Sequence, residues 1–319
     1  MRVLLIDIGN SRVKWRVVDP HLDWPQDDGV QSANSSSAHS PGGHSRHGCG
    51  SLALAELPLL AQHFDAIRDL ALDAVHLSNV AGTEAEGVLR RAVSTAWGDV
   101  PIHALIPKAV QCGVGNGYRD KTQLGPDRWA ALLGAQALLP DRHVLVCSFG
   151  TATTIDLLLS GAGAASGEAT RAWFYGGLIL PGFDAMRRSL ARDTARLPLA
   201  QGEIVDFAIG TDDAIASGIA AAQTGAAMRA LHDARVRAAA RDRECGAIRP
   251  LACVLAGGGA NLMAAYLSKP PSDPQSDLQT PMHVVPDLVL RGLHAIARES
   301  ICNDDAGRFH PSTLVREHR

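Results

Sequence analysis

Residues 1–15, MRVLLIDIGNSRVKW, and residues 143–157, HVLVCSFGTATTIDL, carry one pattern twice, and the fold is read from that repetition. In the first, the apolar run Val3 to Ile6 leads into the turn Asp7-Ile8-Gly9-Asn10-Ser11 and then the alternating Val13, Trp15 and Val17, which reads as a β-hairpin. In the second, His143 to Cys147, the turn Ser148 to Ala152 and the run Thr153 to Leu159 read the same way. A gapless offset of 141 lays residues 4–10 over residues 145–151, so the spacing predicts a duplicated unit with a boundary near residue 141.

Outward from the hairpins, helical and strand patterns interleave, which is the signature of an α/β protein. Helices are expected over 52–70, 83–97, 124–139, 183–195, 212–240 and 260–267, and strands over 74–77 and 251–255. Pro126 suits a first helical position, so Asp127 falls in a helix's first turn. Residues 31–51, rich in Ser, Gly and His, hold too few large apolar side chains to repay the entropy of ordering and read as a disordered surface insert, with His39, His44 and His47 as solvated loop residues. Residues 160–171 read as a long hairpin tip, residues 268–281 as a second polar insert, and residues from 307 onward as a tail.

The 319 residues suffice for about two domains. Aromatics at 4% leave little for stacking on single-stranded nucleic acid, and a net charge of −3 provides no basic field for a polyphosphate backbone. The six cysteines are scattered without zinc or redox spacing and read as reduced thiols. With no signal-like apolar run and no stretch of ~18 apolar residues, a cytoplasmic protein without membrane or nucleic-acid partners is expected.

Turns of Gly, Asn, Ser and Thr let backbone N–H groups approach a phosphate closely, so each hairpin turn can hold one end of a triphosphate. Asp7 is placed to bind a magnesium ion or its waters, and Lys14 adds a point charge. The alternative is an ordinary hairpin turn with Gly9 at positive φ. Ala256-Gly257-Gly258-Gly259-Ala260-Asn261, between a strand and a helix, admits a flat ring or a ribose–phosphate link, or is simply a tight turn. In Gly125-Pro126-Asp127-Arg128, a carboxylate at a helix N-terminus stays ionised and can accept a proton while Arg128 binds an anion; helix-start chemistry alone also accounts for these residues.

Taken together, these residues resemble the type III pantothenate kinases of the acetate and sugar kinase/Hsp70/actin superfamily, from Met1 to about Ile296 with the inserts left out. The first phosphate motif is matched by Asp7, Gly9, Asn10 and Ser11 with Lys14, and the second by Gly150 to Thr154. The pantothenate region is matched by Gly117-Tyr118 and by Gly125, Asp127 and Arg128. Residues 175–182, 194–198, Thr211, 257–261 and 288–293 match the remaining stretches.

The resemblance implies two similar ribonuclease H-like or actin-like domains with mixed sheets flanked by helices and a cleft between them, here 1–141 and 142–319, the latter closing with a helix from about 288. It implies ATP-dependent phosphorylation of the 4′-hydroxyl of pantothenate, the first step of coenzyme A synthesis, with Asp127 as general base and Tyr118, Gly125, Asp127, Arg128 and Thr211 binding substrate. ATP would lie on Asp7, Ile8, Gly9, Asn10, Ser11, Lys14, Gly150, Thr151, Thr153, Gly257, Gly258 and Asn261, with Mg²⁺ at Asp7 and a monovalent cation, K⁺ or NH₄⁺. A homodimer is implied too, with Thr211 reaching the neighbouring subunit's site. The family has Asp where this chain has Ser148, which offers a metal an oxygen but no negative charge, so altered cation dependence is expected. The alternatives are a non-catalytic nucleotide-binding regulator of the same fold, which Ser148 favours, and a kinase for another small hydroxy acid.

Overall fold

Side-chain alternation builds the first hairpin. β1 (Val3–Ile8) sends Leu4, Ile6 and Ile8 to one core and Val3 and Leu5 to another, and pairs antiparallel with β2 (Arg12–Val18). The computed structural model describes residues 1–25, 31–32, 48–161, 170–194, 197, 199–267 and 280–308. After β2 come β3 (Gln31–Ser32), β4 (Cys49–Ala53), α1 (Leu60–Asp65), β5 (Ala74–Asn79), α2 (Thr83–Trp97), β6 (Ile102–Ala104), β7 (Val110–Gln111), β8 (Val114–Asn116) and α3 (Pro126–Leu138). Then follow β9 (His143–Phe149), β10 (Ala152–Ser160), β11 (Ala172–Pro181), α4 (Phe183–Asp193), α5 (Thr211–Cys245), β12 (Leu251–Ala256), α6 (Ala260–Leu267), β13 (Met282–Val284) and α7 (Leu288–Arg308).

The strands form two mixed sheets, ordered β4-β2-β1-β5-β6 and β3-β13-β12-β9-β10-β11-β8-β7. Each contains three antiparallel strands followed by two parallel ones: β4-β2-β1 then β5-β6, and β11-β10-β9 then β12-β13. This is the expected α/β fold of two similar mixed sheets flanked by helices. The hairpins differ in one respect: Ile8 pairs with Val13 across the first turn but Phe149 with Thr153 across the second, so the repeat offset shortens by one residue beyond the turn.

α3 and α7 pack against each other, and the core around them takes Val3 and Leu5 from one sheet and Val144, Val146 and Leu158 from the other. Two glycines permit the close crossing. A β-carbon on Gly292 would stand 1.8 Å from the Ala130 carbonyl oxygen, and one on Gly134 would stand 2.4 Å from that of Leu288. The outer faces are covered by α1 and α2 on the first sheet and by α5 and α6 on the second.

Several expectations need correction. The helix read over 52–70 is the end of β4, a 3₁₀ turn over 54–59 containing Pro58, and the short α1, because Pro58 has no N–H to continue a helical ladder. The insert read over 31–51 is strand at both ends, where β3 pairs with β13 and β4 with β2. β7 and β8, which precede residue 141, join the edge of the second sheet beside β11. Gly9 is not among the glycines with positive φ. His39, His44 and His47, most of the 160–171 and 268–281 tracts, Ala195, Arg196 and Pro198, and the tail beyond 308 lie outside the described residues. All six cysteines are free, and no helix among the described residues is long and apolar enough to cross a membrane.

Candidate functional site

Asp7 and Ser148 occupy the same place in the two hairpins. Each stands near the carboxyl end of its sheet's central strand, two residues beyond a side chain that enters the core around α3 and α7. Across the first sheet the register row is Lys14, Asp7, Ser78, and across the second it is Thr154, Ser148, Ala256. In open α/β sheets ligands bind outside the carboxyl ends of the strands, which is where these rows lie.

The Ser78 hydroxyl donates to Asp7 Oδ1 at 3.2 Å. Burial pushes the Asp7 pKa up to about 6, with Lys14 opposing and the negative Asp127 adding to the rise. Burial also draws the Lys14 ammonium below its ordinary range against the fields of Asp7 and Asp287, and its Nζ donates to the Pro286 carbonyl at 2.7 Å. Two carboxylates that repel one another beside hydroxyl oxygens suit a hard cation. No cluster of three or more His, Cys, Asp or Glu able to hold a metal occurs among the described residues.

The two turns meet. The hydroxyls of Ser11 and Thr151 hydrogen-bond at 2.6 Å across 140 residues of chain. Gly9 and Gly150 each close a turn through the backbone N–H, Gly9 donating to the Arg12 carbonyl three residues on and Gly150 to the Ala152 carbonyl two residues on. The 257–259 turn rests on the second hairpin: Gly259 N–H donates to the Phe149 carbonyl at 2.9 Å, and a β-carbon on Gly257, whose φ is +85°, would stand 2.5 Å from that oxygen. Asn10, Gly258 and Asn261 are exposed nearby in the chain, whereas the side chains of Ile8 and Thr153 are buried, leaving only their backbones for a ligand.

Asp127 lies in the first turn of α3 behind Gly125 and Pro126, as the sequence predicts. The Arg128 N–H donates to its Oδ1 at 2.8 Å, and burial raises its pKa despite that bond and the Arg128 charge. Arg128 is itself buried, and its guanidinium grips Asp156 on β10 through Nε at 3.1 Å and Nη2 at 2.5 Å, while Nη1 donates to the Tyr118 hydroxyl at 2.8 Å. Burial works against the Arg128 charge, yet Asp156 and Tyr118 hold its pKa above the usual range. The Tyr118 ring stacks on Phe174. Arg128 thus keeps only part of its five-donor fork for an anion. Thr211 stands exposed at the start of α5, outside this cluster.

Asp156 and Ser78 escaped the sequence reading. Asp156 had a usable signal: a lone carboxylate inside the apolar run Ile155 to Leu159 must find a cation when the strand is buried. Ser78 had none, since a serine closing a buried strand is unremarkable until Asp7 lies beside it.

The family model for type III pantothenate kinase matches residues 3–233. A type III pantothenate kinase of Herminiimonas arsenicoxydans is 39% identical over 92% of this chain and 97% of its own. One of Burkholderia vietnamiensis is 34% identical over 94% of this chain and 98% of its own. Among solved structures, MreB 5 of Spiroplasma citri bound to AMPPNP aligns over 96% of this chain and 98% of its own with a TM-score of 0.45 and 12% identity.

Proposed function

The chain belongs to the type III pantothenate kinase family, enzymes that phosphorylate pantothenate on the way to coenzyme A, and from that premise we propose how its residues do so. The phosphoryl donor is ATP, with its phosphates on the turns 9–11 and 150–153 and its adenosine beside Gly257 to Asn261. Lys14 neutralises phosphate charge. Asp127 orients the 4′-hydroxyl of pantothenate and takes its proton, leaving the oxygen to attack the γ-phosphorus in line. Arg128 and Tyr118 hold the substrate, and Asp156 holds Arg128. A Mg²⁺ ion held at Asp7 would offset the charge on the phosphate oxygens. Phosphoryl transfer of this kind depends on positioning and charge neutralisation more than on covalent chemistry.

The observation that carries this reading is the buried pairing of Arg128 with Asp156, which anchors the first turn of α3, where Asp127 lies within electrostatic reach of Asp7. Residues 1–141 and 142–319 are taken as the two domains flanking the cleft; the repeated five-strand order supports the division, with β3, β7 and β8 crossing to the edges of the second sheet. A monovalent cation, K⁺ or NH₄⁺, belongs to the reading, with Ser148 weakening its hold. A homodimer also belongs to it, the partner subunit's Thr211 completing each pantothenate site. The second reading, a regulator that binds nucleotide without turnover, is favoured by Ser148 alone.

A coupled ADP-release assay with Mg-ATP and pantothenate, with and without K⁺ or NH₄⁺, tests the proposal. Pantothenate-dependent turnover that Asp127→Asn abolishes supports the mechanism. ATP binding without turnover under any cation supports the regulator.

A further inference from the structure

We propose that Asp287 is a positioning residue that fixes the Lys14 ammonium toward the nucleotide phosphates; the inference rests on the reading of Lys14 as a phosphate ligand. Lys14 sits in β2, in the first sheet, yet its ammonium is tied to the segment that opens α7 at the far end of the chain. Nζ donates to the Pro286 carbonyl at 2.7 Å, and the next residue, Asp287, lies within electrostatic reach of the same amine.

Asp287 is poorly served by its other neighbours. Its Oδ1 accepts from Arg291 Nε at 3.0 Å, one turn along α7, while its Oδ2 is buried without a hydrogen-bond partner. A buried carboxylate oxygen left without a donor is costly unless a nearby cation compensates. The Lys14 ammonium supplies that compensation through space.

The remaining charges around Lys14 are Asp7 across the β1–β2 pair and Arg12 on its own strand, the first attracting and the second repelling. An ammonium has three donors. With one on Pro286, two remain for phosphate oxygens, and Asp287 fixes the side on which the charge is held. The contact also makes the phosphate lysine of the first sheet depend on the position of α7.

The test uses the full chain and Mg-ATP, by calorimetric binding without pantothenate and by steady-state kinetics. Asp287→Asn keeps the shape and the oxygen that accepts from Arg291 but removes the charge. It is expected to weaken Mg-ATP binding roughly 10-fold and to raise the KM for ATP more than it lowers kcat, with Asp287→Glu recovering most of the loss. In a Lys14→Met background the same change should have no further effect. Equal losses in both backgrounds, or wild-type binding by Asp287→Asn while Lys14→Met is weakened, overturn the Asp287 role alone. Wild-type binding by Lys14→Met overturns the reading of Lys14 instead. Should Asp287→Asn fail to fold, Asp287→Ser, which removes the charge and keeps a hydroxyl oxygen, serves the same cycle.

Discussion

Asp127 is subject to two opposing influences, burial raising its pKa and the amide and charge of Arg128 lowering it, with a net rise. A general base acts only when deprotonated, so kcat should fall as pH drops through this raised pKa, and the acid limb of the pH–rate profile should lie above the ordinary aspartate range. A profile whose acid limb matches a free carboxylate would remove Asp127 from the role. Asp127→Asn should lower kcat by ~10²- to 10⁴-fold, read by ADP release. Asp156→Asn leaves the Arg128 guanidinium buried without its counter-charge, so a loss of about 3–5 kcal/mol in urea unfolding is expected, with a higher KM for pantothenate. Unchanged stability would show that Tyr118 and solvent suffice for Arg128. The contrast between these carboxylates marks what residue patterns reveal. Asp7 and Asp127 announce themselves by local chemistry, a glycine turn and a helix start. The partner of Asp156 lies 28 residues away on another element, and only the packing of α3 on β10 brings the two together.

At the scale of elements, the β5–β6 pair carries a titration signal. His76 is 6% exposed and faces His103 across the register, and burial, reinforced by His103, pulls its pKa from the ordinary 6.5 down to about 4. Between those values the unfolded chain binds a proton that the folded chain refuses. The contribution is therefore complete above pH 6.5 and is lost as pH falls toward 4, amounting to as much as ~3 kcal/mol. Urea unfolding at neutral pH and at about pH 5 should show the wild type losing more stability than His76→Phe; equal losses would mean that His76 titrates normally when folded. The strand itself was legible, as were α2 and α6, because each carries a full period of pattern. β6, β7, β8 and β13 were not, since strands of two or three residues are too short to show alternation and form only because a longer neighbour offers an edge. The helix drawn over 52–70 failed for a related reason. Leu52, Leu57, Leu60 and Phe64 all reach one core, but from a strand, a 3₁₀ turn and a short helix in succession.

At the scale of the molecule, a strand edge and several apolar side chains stay exposed among the described residues. β11 pairs with β8 only over residues 172–174, so among the described residues no strand lies beside that edge from Tyr175 to Pro181, a run bearing exposed Leu178 and Ile179. No residue of α4 is fully buried, although Phe183, Met186 and Leu190 pack against Ile215 and Ile219 of α5, and in the stretch leading to Thr211, Phe207 and Ile209 are 97% and 107% exposed. Apolar surface of this kind, continuous in sequence with the threonine expected to cross between subunits, fits a two-fold contact with a second copy. Such a contact makes a prediction that activity alone can read. On the proposed mechanism a subunit carrying Asp127→Asn lacks its base and one carrying Thr211→Ala cannot complete its neighbour, so each variant alone should be impaired. If the partner subunit's Thr211 serves each Asp127, a mixed dimer regains one intact site, assembled from the native Asp127 of one chain and the native Thr211 of the other. Random mixing should then restore about one quarter of wild-type sites, since half the dimers are mixed and each has one good site of two. If Thr211 acts within its own chain, no mixed dimer contains a chain with both residues native, and co-refolding the two variants restores nothing. Sedimentation of Phe207→Glu separates the remaining case, because a monomer that keeps full turnover would leave these exposed apolar residues without a part in catalysis.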